Sequence, residues 1–392
     1  MKVAIVINEL NIRGGTHKQV LRLCQFLVRN DIECSIYTKF KDLSKTFPEF
    51  GDFDIKFIKD NNNTPPESSG NFLRKIKNVL FHIDEQCSVL KLIDKDTDII
   101  NVHDNGLEWL IFFASFFSKS KIVWQINDLP ICFRVGNGKD LPEKKSYRLW
   151  RKFYRFIAKR VALITVNVSK NKERVNKLLK VDAKVLYCGV DQNELLQLHS
   201  YNKNVKNNEN FYLLSTGVML PYRNYETLIE VIKILKSKGL KFNLDIIGSD
   251  KANYEYTNKI EKLINTYNLN DCINVWGQVD DATYNYLYNR ATIFSFINID
   301  QSWGLAVFEA MSCGLPTIVS NSVGAIELLN DGKDSIVVDP LDIECIANHI
   351  VKLINEPQYY DQLSHNAVLN CKQFTWDNLY CSPLLKIFKS LR

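Results

Sequence analysis

Long apolar runs are missing from this sequence. No stretch approaches the roughly 18 consecutive apolar residues of a membrane-spanning helix, and the opening MKVAIVINELN passes into a strand-like segment with no small-residue cleavage site. No signal peptide is expected, and the expectation is a cytosolic, cytoplasmic protein. The pattern C-x-x-C is missing too. The ten cysteines are scattered from Cys24 to Cys381 without clustering around the six histidines. That argues against a zinc site or a disulfide framework and for small buried hydrophobes. Neither G-x-G-x-x-G nor a P-loop occurs, and no Asp-x-Asp stands in a strand-end loop. The net charge of +6 is too mild to imply nucleic acid. With no zinc finger, RRM-type aromatic signature or long basic arm, no nucleic-acid partner is expected.

What is present is an alternation. At 392 residues the chain can hold two domains of roughly 200 residues, and 46% hydrophobic with 24% charged residues are ordinary for a globular protein. Short β-branched or aromatic runs alternate with longer amphipathic ones, the pattern of βα units and parallel sheets. One series runs VAIVIN (3–8), CSIYT (34–38), DIINVH (98–103), KIVWQIN (121–127), ALITVNVS (162–169) and KVLYC (184–188). A second runs FYLLSTGV (211–218), FNLDIIGS (242–249), INVWGQ (273–278), TIFSFI (292–297), PTIVSN (316–321) and SIVVD (335–339). Between them HSYNKNVKNNEN (199–210) is nearly free of apolar residues and reads as a linker. The expected fold class is α/β: two Rossmann-like, doubly wound halves, 1–198 and 211–375, with a ligand cleft between them. A C-terminal helix over about 376–392 is expected to pack back on the first half. Two irregular stretches, 59–71 and 128–145, have the length of functional or mobile loops.

Two places suit an anion. Gly14-Gly15 follows the first strand and precedes the first helix, where missing side chains let backbone N–H groups approach a ligand. A plain tight turn accounts for the pair equally well. The stretch NIDQSWGLAVFEAMSCGLPTIVS (298–320) sets a loop before a helix that begins at Gly304. Exposed N–H groups at Gly304, Leu305 and Ala306 suit a diphosphate, and Glu309, further in, suits a ribose diol. Gly314 and Pro316 then carry the chain into the next strand.

The order WGLAVFEAMSCGLPTIVS, GAIELLNDG, VVDP resembles the retaining glycosyltransferases of family GT4, which have the GT-B fold. GVMLPYRNYETLIEVIKIL (217–235) is similar to that family's Gly-Arg-Leu-x-x-x-Lys-Asn stretch, YCGVD (187–191) to its Asn-Gly-Val-Asp turn, and VNVSKNKERV (166–175) to its strand ending in serine. The resemblance spans residues 3 to 380. It implies a UDP- or GDP-linked nucleotide-diphosphate sugar as donor, bound mainly by the C-terminal half. A glycan or lipid-linked acceptor is implied on the N-terminal half, with no metal or other cofactor. By the same resemblance Glu309 stands at the second glutamate of E-x7-E and contacts the ribose. The amides of Leu305 and Ala306 hold the diphosphate, Arg223 replaces the usual phosphate-binding lysine, and the backbone around Val279 meets the base.

Four positions depart from the family pattern. Gln301 replaces the first glutamate of E-x7-E, Val218 a phosphate-binding arginine, Asn127 a histidine near the sugar, and Cys188 the asparagine of Asn-Gly-Val-Asp. A charge-assisted contact such as the lost arginine contributes on the order of 1.5–3 kcal/mol, a task that falls to Arg223 and the helix N-terminus. Gln301 can orient a sugar hydroxyl but cannot act as a base. A front-side substitution, in which the donor phosphate accepts the acceptor's proton, does not need one. Asn127, Gln301 and His103 are therefore the candidates around the reacting sugar, though His103 also fits a structural role at its strand end. The departures admit two rivals: a catalytically degenerate GT-B subunit that binds a partner or glycan, and a GT-B enzyme acting on the donor alone.

Positive charge is concentrated in two segments. NFLRKIKNVLF (71–81) carries Arg74, Lys75 and Lys77, and KKSYRLWRKFYRFIAKR (144–160) has eight basic residues and no acidic one. Helical spacing gathers Trp150, Phe153, Tyr154 and Ile157 on one face of the second, where core packing is expected. Attraction of both segments to an anionic membrane surface, placing the protein peripherally at the cytoplasmic face, is the functional reading.

Overall fold

The computed structural model describes residues 1–58, 72–103, 105–128, 130, 135–136, 139–140, 145–191, 198–206, 210–251, 253–299 and 303–392. The chain divides into two units, Met1–Gly189 with Trp376–Arg392, and Val190–Thr375. The stretch 199–210 belongs to the second unit; it contains a helical turn, Tyr201–Asn204, and Val205 is buried in that unit's core. Most of 59–71 and 128–145 lies outside the described residues.

In the first unit, strands β1 (Lys2–Val6), β2 (Glu33–Thr38), β3 (Ile55–Phe57), β4 (Ile99–His103), β5 (Lys121–Ile126), β6 (Leu163–Val166) and β7 (Lys184–Val185) form one sheet. All pair in parallel, in the order β7-β6-β5-β4-β1-β2-β3. Runs such as Val3–Val6 and Ile99–Val102 are buried at every position, as a sheet covered on both faces requires. Its helices are α1 (Gly15–Arg29), α2 (Phe72–Leu92), α3 (Glu108–Phe117), α4 (Lys145–Ala158) and α5 (Ser169–Leu179). Val20, Leu23, Cys24 and Leu27 recur at helical spacing on α1 and are wholly buried. Tyr154 and Ile157 of α4 are buried against a core that includes Trp124 and Ile164, with Trp150 and Phe153 packed at its margin, so the apolar face of 144–160 is a core face.

In the second unit, β8 (Phe211–Thr216), β9 (Phe242–Ile247), β10 (Ile273–Gly277), β11 (Ile293–Phe296), β12 (Thr317–Ser320) and β13 (Ile336–Val338) are also all parallel, in the order β10-β9-β8-β11-β12-β13. Both sheets thus reverse direction after their third strand, the doubly wound order. The helices are α6 (Tyr225–Ser237), α7 (Tyr254–Thr266), α8 (Asp281–Arg290), α9 (Leu305–Ser312), α10 (Ile343–Asn355) and α11 (Pro357–Cys371); α12 (Ser382–Leu391) belongs to the first unit. Leu228 and Ile232 of α6, Ile260 of α7 and Ile350 of α10 share one core with Leu213, Leu244 and Ile293 of the sheet. The twelve strand expectations match twelve strands to within a few residues. The three-residue edge strand β3 is additional, too short to show a period.

One ion pair is built into the second sheet. Asp245 of β9, only 1% exposed, accepts from Arg290 of α8 at 2.6 Å, from Trp276 Nε1 at 2.7 Å and from Asn274 Nδ2 at 3.2 Å. With three donors on one carboxylate, the pair ties α8 to the sheet beneath it.

Two histidines are buried without charge. Desolvation, and next the charge of His17, push His103 down to about 3. Burial, and next Lys203, push His199 down to about 4. Neither shift matters while both folded and unfolded rings are neutral. Below the unfolded value of about 6.5 only the unfolded chain takes up the proton, so stability falls with pH. Denaturant unfolding should lose roughly 2 kcal/mol per histidine between pH 6.5 and 5. Flat stability over that range, or a ring resonance titrating near 6.5, would contradict the assignment.

Candidate functional site

Ligands of a doubly wound sheet meet its carboxyl edge where the strand order reverses. In the second unit that point lies between β8 and β11. Gly217 leaves β8 at φ +150° and Gly248 leaves β9 at φ +144°. A Cβ on Gly248 would run into the Gly217 carbonyl, and one on Gly217 into the Arg223 guanidinium. The chain turns at Pro221–Arg223 and reaches Asn224 at φ +56°, a left-handed conformation that asparagine tolerates better than most residues. The buried Asn224 amide donates to the carbonyls of Ile297 at 3.3 Å and Pro340 at 2.8 Å, while its oxygen accepts from Thr227 Oγ1 at 3.0 Å. Ile299 N–H donates to the Tyr222 carbonyl at 2.7 Å. The turn carrying Arg223 is thereby fastened to the chain leaving β11.

Phe296, the last residue of β11, is the common neighbour of the cationic and helical parts. Its ring centre lies 5.6 Å from the guanidinium carbon of Arg223, which also lies 5.1 Å from that of Tyr222. On its other side Gly304, at φ +139°, directly precedes α9; a Cβ there would stand 3.0 Å from Phe296 and 3.1 Å from Val323. Half-buried Leu305 and Ala306 open the helix, and Glu309 follows one turn on. Its carboxylate accepts from the Tyr284 hydroxyl at 2.9 Å. Burial, with the Glu309 charge second, holds the Tyr284 phenol well above its ordinary range, so it stays a donor. Tyr284 comes from α8 and packs on Tyr288, ring centres 4.5 Å apart. Val279 lies between β10 and α8, next to Asp280, whose carboxylate accepts from Thr283 N–H at 2.8 Å and caps the helix. α9 ends at Gly314, φ +76°, whose N–H bonds the Met311 carbonyl. Gln301 lies outside the described residues.

In the first unit Gly14 is extended, φ −126°, so the position does not use glycine's left-handed freedom. Its bareness matters instead: a Cβ would stand 3.3 Å from His17 Nδ1. His17 Nε2–H donates to the Glu9 carbonyl at 2.9 Å. His103 ends β4 fully buried. Its Nε2–H donates to Asn101 Oδ1 at 2.9 Å, because the Asn101 amide nitrogen is turned to the Val123 carbonyl at 3.2 Å. His103 Nδ1 is a buried acceptor with no hydrogen-bond partner among the described residues. Asn127, just past β5, donates to Thr16 Oγ1 at 3.1 Å and Gln19 Oε1 at 2.8 Å and accepts from Gln125 at 2.9 Å. Gln125 in turn accepts from Thr165 at 2.6 Å. Asn127 therefore joins the first turns of α1, which Gly15 begins, to β5 and β6. Among the described residues no group of three or more His, Cys, Asp or Glu side chains is arranged to hold a metal ion, and no helix is long and apolar enough to cross a membrane.

Tyr284 and the two-carbonyl grip of Asn224 are the parts that sequence reasoning missed. A tyrosine one turn after the cap that follows Val279 was the available signal for the first.

Residues 13–194 match the family model described as Glycosyltransferase Family 4, and residues 197–369 the one described as Glycosyl transferases group 1. The chain belongs to glycosyltransferase family 4. O-antigen chain mannosyltransferase B of Escherichia coli is 28% identical to this family-4 chain over 167 residues, 43% of each. That curated relative is thus matched over less than half its length. Among solved structures, sucrose-phosphate synthase from Thermosynechococcus elongatus gives a TM-score of 0.78 at 16% identity, covering 100% of this chain and 99% of that one. Anabaena HepE in complex with UDP and glucose gives 0.73 at 16% identity, covering 100% of both. The fold is GT-B.

Asn224→Gly keeps the left-handed backbone but removes both donations to the strand-end carbonyls. The family-4 chain should lose about 1–3 kcal/mol in denaturant unfolding. An unchanged midpoint would mean that the turn is held by other contacts.

Proposed function

We propose that the chain is a retaining glycosyltransferase that passes a sugar from a nucleotide-diphosphate sugar to a glycan or lipid-linked acceptor in polysaccharide or glycoconjugate assembly. The observation that carries this reading is the meeting of Arg223, the N-terminus of α9 and Glu309 around one strand end. A cation and converging N–H groups suit a diphosphate. Glu309, held by Tyr284, suits the ribose hydroxyls. Neighbouring strands lie about 4.8 Å apart, so from the β8–β11 gap to Val279 beyond β10 is about 10–12 Å, a span a nucleoside can bridge. The donor class is a UDP- or GDP-linked hexose; HepE, whose structure contains UDP and glucose, has this fold.

In the reaction Arg223 and the amides of Gly304, Leu305 and Ala306 meet the charge that builds on the leaving diphosphate. No metal or other cofactor is called for in this scheme. The first unit binds the acceptor, with Gly14 and Gly15 offering bare backbone and Asn127 and the neutral His103 as its candidate groups for the reaction. Gln301 orients a sugar hydroxyl, and the donor's own phosphate takes the acceptor proton on the face the leaving group departs from. A peripheral place at an anionic cytoplasmic membrane face completes the reading, where a lipid-linked acceptor is found.

A thermal-shift series with UDP, GDP and their sugars tests the donor site. One of the nucleotides should raise the melting temperature of the native chain, and Glu309→Ala should lose that gain. Arg223→Ala should weaken the same nucleotide by about 10- to 100-fold. Stabilisation by none of them would remove the donor reading, and product NMR showing an inverted anomeric centre would remove the retaining one.

A further inference from the structure

We propose that the outward side of α3 and α4 is a docking surface for an anionic lipid bilayer, with α4 lying in the plane of the headgroups. The proposal rests on the peripheral reading above and names the side chains that make the contact. The inward face of α4 is already occupied by its own core, through Tyr154 and Ile157. On the outward face Leu149, Lys152, Phe156 and, just past the helix end, Lys159 follow at helical spacing, and all four are exposed, Leu149 by 72%.

The end of α3 widens this strip. Phe116 stacks on Phe156 with ring centres 6.2 Å apart, and Phe117 beside it is 82% exposed. Arg160 lays its guanidinium carbon 3.7 Å from the Phe116 ring centre and donates to Ser115 Oγ and the Ser115 carbonyl, both at 3.0 Å. The other end of α3 is fixed, because Gln86 of α2 accepts from the N–H groups of Trp109 and Leu110 at 2.9 and 3.1 Å. The aromatic tip is therefore presented by a fastened helix.

Charge selects the occupant. α4 has no carboxylate along its length, and Glu108, the acidic residue of α3, is buried and accepts from the Tyr154 hydroxyl at 2.6 Å. Large apolar tips beside Lys152, Lys159 and Arg160 match the boundary between acyl chains and anionic headgroups. A contiguous exposed patch of this kind marks a contact surface. In segment 71–81, Lys77, Val79 and Leu80 are exposed on α2, while the side chains of Arg74 and Lys75 lie outside the described residues.

The test is cosedimentation of the full chain with phosphatidylcholine vesicles containing roughly one third phosphatidylglycerol, beside phosphatidylcholine alone. Binding is expected to the anionic vesicles only and should weaken as salt rises. Phe117→Ser with Leu149→Ser, at two highly exposed positions, should lower the partition about tenfold or more. Lys152→Glu with Lys159→Glu should lower it about fivefold or more per residue. Nucleotide stabilisation measured on the same samples should be unchanged in both variants, so failure of the donor reading and failure of docking appear in separate readouts. Equal binding to neutral vesicles, binding indifferent to both double variants, or self-association abolished by Phe117→Ser would each overturn the proposal.

Discussion

At the ends of β8 and β9 two backbones approach so closely that Gly248 cannot carry a side chain, and the Arg223 guanidinium takes the place of one on Gly217. Gly217 and Gly248 meet there, and the space that a Cβ would take lets a guanidinium lie against the main chain. The arrangement at this strand end follows from that approach. Arg223 rests between Tyr222 and Phe296 because Gly217 is bare, and Phe296 in turn touches the start of α9 because Gly304 is bare. Three glycines with positive φ thus bring a cation and a helix N-terminus to one aromatic ring. Asn224 fixes the arrangement from behind by holding two carbonyls from different strand ends.

The first unit solves its own edge differently, with buried amides rather than bare backbone. Gln19, Asn127, Gln125 and Thr165 hand hydrogen bonds along a chain from α1 to β6. A network of this kind is rigid only when its members are satisfied, and Asn127 has both ends of its amide engaged. Where the family pattern sets an ionisable histidine, this protein has a neutral group whose direction is fixed by its neighbours. His103, buried and held well below its ordinary protonation range, adds a second neutral site.

The parts of the fold legible in the sequence are those carried by local pattern. β-Branched runs mark the strands, and the glycine after α9 marks its end through a φ that only glycine adopts cheaply. Arg223, Leu305, Ala306 and Glu309 could be singled out as candidates because each sits in a motif of fixed spacing. The contacts that give them direction could not be. Tyr284 reaches Glu309 from another helix, Asn224 reaches Pro340 across 116 positions, and neither distance leaves a trace in spacing. α3 shows the same limit: only the position of α4 beside it shows which of its phenylalanines face outward. Gln301, one of the four departures from the family pattern, is outside what the structure describes.

Arg223 and Asn224 are neighbours with divided duties. The arginine rests on Phe296 and contributes charge, whereas the asparagine carries the left-handed bend and the two carbonyl bonds that hold the loop. Substitution at the first position can alter the charge presented there without shifting the scaffold, because the bend does not depend on the guanidinium. The second position has almost no such latitude, since few residues combine a left-handed backbone with a short two-pronged amide. The charge at this turn can thus be changed at one residue, while its adjacent partner has to keep the shape of the loop.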